Sequence, residues 1–156
     1  MNWRKITQDE LEVFLRKHKL WLANEPGGER ANLTRADLTR ANNVNYPIAC
    51  PEKGSFIGFK KVRDNYIVEL EIPADALRSS ASSRKCRCSH AKVISFTKLD
   101  GSPADVGVVF SKYDAEFAYR IGEIVKVDNF DTNRWNECAP GIHFFITRQE
   151  AVDYAY

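Results

Sequence analysis

The sequence predicts an α+β protein. An N-terminal helix and a short segment that repeats every five residues come first, followed by a mostly antiparallel β domain closed by a C-terminal helix. Three observations lead there. Capping boxes open two helical segments, one near each end of the chain: Thr7-Gln8-Asp9-Glu10 and Thr147-Arg148-Gln149-Glu150. Between them, short runs alternate apolar with polar residues, the period of half-buried strands. The breaks between runs carry Gly, Pro, Asn and Asp, which supply the backbone angles that tight turns need. With 156 residues and 44% hydrophobic content, the chain is long enough to bury a core. The composition shifts near Pro47, so the expected division is 1–46 for the helix and repeat segment and 47–156 for the β-rich domain.

Leu11, Phe14, Leu15, His18 and Leu22 follow helical spacing after the first capping box, and Asn24 with Pro26-Gly27-Gly28 stops that helix. Ser55–Val62 and Tyr66–Ile72 read as a hairpin around Arg63-Asp64-Asn65, ended by Pro73. Leu77–Ser83 is small and polar and reads as a loop. It leads through Arg84–His90 into a third strand at Lys92–Thr97. Val106–Phe110 is an apolar run expected to be central, and Phe117–Tyr119 and Glu123–Val127 read as two more strands. Asn129–Asn136 is a loop with Phe130 and Trp135 as anchors. Pro140-Gly141 then turns the chain into a last strand, with Ile142, Phe144 and Ile146 on one face and His143 on the other.

A short repeat stands apart from this pattern. Ala31-Asn32-Leu33-Thr34-Arg35 is followed by Ala36-Asp37-Leu38-Thr39-Arg40 and Ala41-Asn42-Asn43, with a period of five. It resembles the pentapeptide-repeat family, which implies a quadrilateral coil; two clean units are too few for a long solenoid. The remainder resembles an uncharacterised domain family of viruses and bacteria that occurs downstream of such repeats. Gly58-Phe59-Lys60-Lys61, Leu70-Glu71-Ile72-Pro73, Arg78-Ser79-Ser80, Arg84-Lys85-Cys86-Arg87 and Asn133–Thr147 carry that resemblance. It implies kinship and domain order, and it assigns no catalytic residue.

Charge and composition exclude some classes. A net charge of +2 gives no strong nucleic-acid signal. No apolar run approaches membrane-spanning length, and Met1-Asn2-Trp3-Arg4-Lys5 leads into a charged helix rather than an apolar leader. A soluble cytoplasmic protein with free thiols at Cys50, Cys86, Cys88 and Cys138 is the expectation, in the host cytoplasm if the source is viral.

Three chemistries are open. The leading one is an anion site. Arg78, Ser79, Ser80, Arg84, Lys85 and Arg87 gather guanidinium forks, hydroxyls and backbone amides that suit phosphate. Lys60, Lys61 and Arg120 are available to help, His143 and Trp135 are added as ligand contacts, and Tyr113 or Tyr119 offers a stacking face. The bland alternative is a solvated basic loop. The second is zinc. Cys86, Cys88 and His90 alternate on one strand face, and Cys138 and His143 would complete a set, yet no C-x-x-C knuckle is present and buried thiols explain the pattern as well. The third is a nicotinamide-dinucleotide-dependent transferase built on His143, Tyr119 and Glu150, an analogy at the level of fold alone. His143 also reads simply as a half-buried imidazole bonded to a loop.

The expected function is therefore non-enzymatic binding of a phosphorylated small molecule or nucleotide, without cofactor. In a virus this would sequester a host immune signal. The alternative is a protein-interaction module that contacts a host protein or a second copy of itself.

Overall fold

The computed structural model describes residues 4–33, 36–37 and 47–155. The chain divides into two compact units, Met1–Ile48 and Ala49–Tyr156. The fold class is the expected one, α+β with antiparallel strands dominant.

The first unit is organised on α1 (Gln8–Leu22). Thr7 caps it in a full capping box: its side chain accepts from Glu10 N, and Glu10 returns a bond to Thr7 N at 2.8 Å. Ala23 caps the other end, and Asn24 turns the chain with φ 57°. The segment after the turn runs back along the helix. Glu29 N donates to Lys17 O, the Glu29 carboxylate pairs with Lys17, and Ala31 N donates to His18 Nδ1 at 3.3 Å. Gly28 passes so close to the backbone of Leu20 and Trp21 that a β-carbon would overlap it. The His18 ring is fully buried and stacks on Trp21 at 5.3 Å, a structural role. β1 (Arg4–Lys5) and β2 (Ala36–Asp37) pair in parallel. The rest of the second and third pentapeptide units, together with Thr34 and Arg35 of the first, lies outside the described residues.

The second unit holds the strands. β3 (Phe56–Lys61) and β4 (Ile67–Ile72) form the expected hairpin, and Asp64 and Asn65 at the turn adopt φ of 56° and 58°. β5 (Arg78–Ser80), β6 (Cys86–Cys88) and β7 (His90–Thr97) follow. Then come β8 (Val109–Phe110), β9 (Ala118–Tyr119), β10 (Ile124–Lys126), β11 (Ile142–Phe144) and α2 (Arg148–Asp153). The main sheet has the order β10-β7-β4-β3, a second has the order β11-β6-β5, and β8 pairs with β9. All these pairings are antiparallel. Just beyond β11, Phe145 exchanges two backbone hydrogen bonds with Phe59, at 2.7 and 2.8 Å, so the two main sheets meet at the β3 edge.

β3 has two occupied faces. Ile57, Phe59 and Lys61 alternate with Phe56, Gly58 and Lys60. Phe59 packs into a cluster with Ile67, Phe145 and Ala151 beneath α2, and Lys61 Nζ donates to the carbonyls of Val152 and Tyr154 at its C-terminal end. On the other face, Phe56 meets Phe144 at 5.8 Å between ring centroids. A β-carbon on Gly58 would stand 2.6 Å from the Phe144 ring and 3.0 Å from Ile72, so only glycine lets β11 pack this closely.

Several sequence expectations fail for identifiable reasons. Arg78–Ser80 is a strand rather than part of a loop, because Ser79 and Ser80 are inside and pair with β6. The strand expected to run on from Arg84 breaks at Ser89, so Cys88 and His90 belong to different sheets. A bulge opposite Glu69 and Leu70 inserts Ile94, and the buried residues of β7 become Ala91, Val93 and Phe96 instead of a strict alternation. Val106–Phe110 shrinks to a two-residue strand in a separate ribbon, since an apolar run alone does not distinguish a central strand from a packed loop. Trp135 is 54% exposed and does not anchor its loop; Phe130 does, beneath Arg87.

Candidate functional site

The arginine-serine segment has the anion-binding chemistry that its sequence suggests, and the protein's own acceptors occupy it. The Arg78 guanidinium lies 5.1 Å over the Phe56 ring and donates to the carbonyls of Pro51, Gly54, Pro73, Ala74 and Ala76. Arg87 is 2% exposed and clamps the Asp131, Asn133 and Pro140 carbonyls. Arg84 pairs with Glu150 at 3.1 Å. The amides of Ser82 and Ser83 converge on one carboxylate oxygen of Glu137, at 3.0 and 3.2 Å. Ser80 Oγ accepts from Ala49 N, and Ser79 Oγ is buried with no hydrogen-bond partner among the described residues. Trp135 carries the Arg134 guanidinium 4.9 Å above its ring, and Arg120 sits at the surface beside Glu123.

Lys85 and His143 go elsewhere. They line a cleft of about 520 Å³ with Lys60, Tyr113, Phe117 and Tyr119, and the Cys138 to Ile142 turn forms one wall. That volume falls within the range of small-molecule sites.

β3 delivers Lys60 on its Gly58 face, opposite the buried Val68 in register and between the buried positions Gly58 and Val62. This is a core-facing position, and the long stem lets the amine reach past the packed rings into the cleft. Its Nζ donates to His143 O at 3.2 Å. No carboxylate lies within ion-pair distance of Lys60 or Lys85 among the described residues. Burial pushes the Lys60 ammonium down to about 8, and the Lys85 charge pushes the same way. The adjacent Lys61, on the opposite face, is occupied by α2.

His143 is half-buried, with Nε2 3.2 Å from Ala139 O. A carbonyl only accepts, so Nε2 carries the hydrogen and Nδ1 keeps its lone pair. Burial, with the charges of Lys60 and Lys85, holds its pKa down to about 4. At neutral pH His143 is therefore an uncharged, oriented ring. Tyr113 and Tyr154 also line the cleft. Asp114 is the acidic side chain in the lining, and one of its oxygens accepts from Glu116 N at 2.9 Å.

The zinc constellation does not assemble. No three His, Cys, Asp or Glu side chains gather in metal-binding geometry among the described residues. Cys86 and Cys88 are buried, burial pushes the Cys88 thiol up to about 12, and His90 turns to Asp75 and Ser89. Cys138 is exposed, and all four thiols are unpaired with one another as disulfides. Of the transferase trio, His143 and Tyr119 share the cleft, but Glu150 caps α2 and pairs with Arg84.

Residues 46–151 match the model of a family described as a family of unknown function, DUF5758. The chain belongs to this family. The match takes in every strand of the second unit and all of the cleft except Tyr154. An uncharacterised protein of Acanthamoeba polyphaga mimivirus is 36% identical over 96 residues, 56% of this chain. The matched region spans 61% of that relative's length, so each protein has sequence outside the shared part. No solved structure matches. No helix among the described residues is long and apolar enough to cross a membrane.

Sequence reasoning passed over most of the cleft. Lys60 was legible only as a helper, because two adjacent lysines look alike until strand parity sends them to opposite faces. Its signal is a lysine at an inward position of an otherwise apolar strand face.

Proposed function

We propose that this DUF5758 domain binds a phosphorylated small molecule or nucleotide in the lysine-lined cleft. The observation that carries the reading is the convergence of Lys60 and Lys85, neither ion-paired among the described residues, in one concave site with aromatic walls. Two ammonium groups favour a phosphate, and Tyr113, Phe117 or Tyr119 offers a face for a ring. A neutral His143 supplies a lone pair at Nδ1 rather than charge. The match to a mimivirus protein supports a viral setting, in which such binding withdraws a phosphorylated signal from the host.

Adenosine 5′-monophosphate and inorganic pyrophosphate, titrated calorimetrically at two salt concentrations, test this. Binding that weakens in salt and is lost in Lys60→Gln/Lys85→Gln, with a melting temperature that does not fall, is the expected result. Equal binding by the double variant overturns it.

A second reading, self-association, has its own observation. β10 is an edge strand with Ile124 64% exposed, and Ile121 beside it is 55% exposed. A concentration-independent monomer in light scattering would remove that reading.

A further inference from the structure

We propose that Lys60 captures carbonyl compounds: its amine forms a reversible imine with an aldehyde or ketone whose anionic group is held by Lys85. This rests on the anion-binding reading of the cleft, and it narrows the ligand class to phosphorylated or carboxylated aldehydes and ketones.

Geometry carries the inference. An anion contact can be made from a solvated surface, where an ammonium keeps its hydration. Lys60 instead occupies a core-facing position between Gly58 and Val62, opposite Val68. The acceptor within reach of its amine is one backbone carbonyl, that of His143, and no carboxylate within ion-pair distance holds it as an ammonium ion among the described residues. The amine nevertheless opens on a cleft large enough for a small ligand. A desolvated lysine beside a second cation is the arrangement that turns an amine into a nucleophile. With its pKa brought down to about 8, roughly a tenth of Lys60 is neutral at pH 7, against far less than a hundredth for an ordinary lysine.

The chemistry balances without an oxidant or reductant. The nitrogen lone pair of the neutral amine adds to the carbonyl carbon, the nitrogen gives up one hydrogen as a proton, and the carbonyl oxygen takes up a proton to give a carbinolamine. The hydroxyl takes up a second proton and leaves as water as the C–O bond breaks and the nitrogen lone pair forms the C=N bond; loss of the nitrogen's second hydrogen as a proton balances that uptake and gives the neutral imine. One water is released per imine, and hydrolysis restores both partners. Lys85 supplies the charge that concentrates an anionic carbonyl compound at the amine. His143, uncharged and fixed through Nε2, stands beside the amine without competing for the anion.

The test uses pyridoxal 5′-phosphate as an aldehyde probe and pyridoxine 5′-phosphate as its counterpart without a carbonyl. The protein is incubated with one equivalent of the aldehyde, reduced with borohydride, digested and mapped by mass spectrometry. Melting shifts report binding of the alcohol. The expected result is one adduct, on Lys60, that Lys60→Arg abolishes and that excess pyridoxine 5′-phosphate prevents. Lys85→Gln should lower labelling about tenfold, the scale of one lost charge contact. Binding of the alcohol with no adduct on Lys60, or adducts spread evenly over surface lysines, overturns the imine and leaves the anion site standing. Absence of both binding and adduct overturns the two together. Should Lys60→Arg fail to fold, the adduct map of the unaltered protein still decides.

Discussion

Two basic regions of the second unit differ in what their donors do. In the arginine-serine region, Arg78 meets five backbone carbonyls, Arg87 meets three, Arg84 meets Glu150, and the Ser82 and Ser83 amides meet Glu137. In the cleft, Lys60 has one carbonyl and Lys85 no ion pair among the described residues. From residue type alone the two read as a single anion site, with Lys85 in the arginine-serine segment and Lys60 as a helper. The first is saturated and holds the loops; the second is left with capacity for a ligand. A guanidinium has five donors in a plane, so it ties several carbonyls of irregular chain together, whereas an ammonium at the end of a flexible stem does this poorly. Arginine here ties loops together and lysine lines the cleft.

The sharpest way to break that contrast is to remove an arginine. Arg87→Ala leaves three carbonyls of the 131–140 loop without their donor and should cost about 3 kcal/mol in urea unfolding. An unchanged midpoint would mean that the clamp is ornamental. Next in size is Gly58→Ala, which forces Phe144 and Ile72 away from β3. About 2 kcal/mol is expected, together with a disturbed cleft wall visible in the aromatic circular dichroism.

Lysine removal should act in the opposite direction. The folded state holds the Lys60 proton less tightly than the unfolded state, with a pKa of about 8 against 10.5. Below pH 8 the buried charge is therefore a cost, and stability recovers as pH rises from 8 to 10.5. Lys60→Met should raise stability near pH 7 by about 1 kcal/mol and flatten that alkaline rise. A loss of stability would show that Lys60 is a structural lysine after all.

His143 has the same sign on the acid side. Its folded pKa of about 4 lies below the ordinary 6.5, so the stability it contributes is present above pH 6.5 and is lost as pH falls towards 4. His143→Gln should give a shallower acid limb in that window, read from melting temperature against pH. Lys85→Gln completes the series with the smallest effect on the fold, within about 0.5 kcal/mol, while lowering affinity for pyrophosphate. A stability loss comparable to that of Arg87→Ala would erase the distinction between the two regions.

The sequence by itself determined both helices, the β3–β4 hairpin and the antiparallel α+β class. Those signals are local: Thr7 and Thr147 each find their partner three residues on, and hairpin parity needs only the turn at Asp64 and Asn65. It also identified the residue types of an anion site. Only the tertiary structure decided which of them remain available. The acceptors that fill Arg78 and Arg87 lie on the Pro51–Ala76 and Asp131–Pro140 segments, and the carboxylate on the Ser82–Ser83 amides comes from Glu137. The Ile94 bulge and the break at Ser89 are likewise set by pairing with other strands, and they dissolve the apparent Cys-Cys-His row. Lys60 becomes conspicuous once Phe144 packs on Gly58 and shows which face of β3 is inside. Hydrogen-bond donors are a property of the residue, whereas their saturation depends on distant acceptors that the fold brings to them.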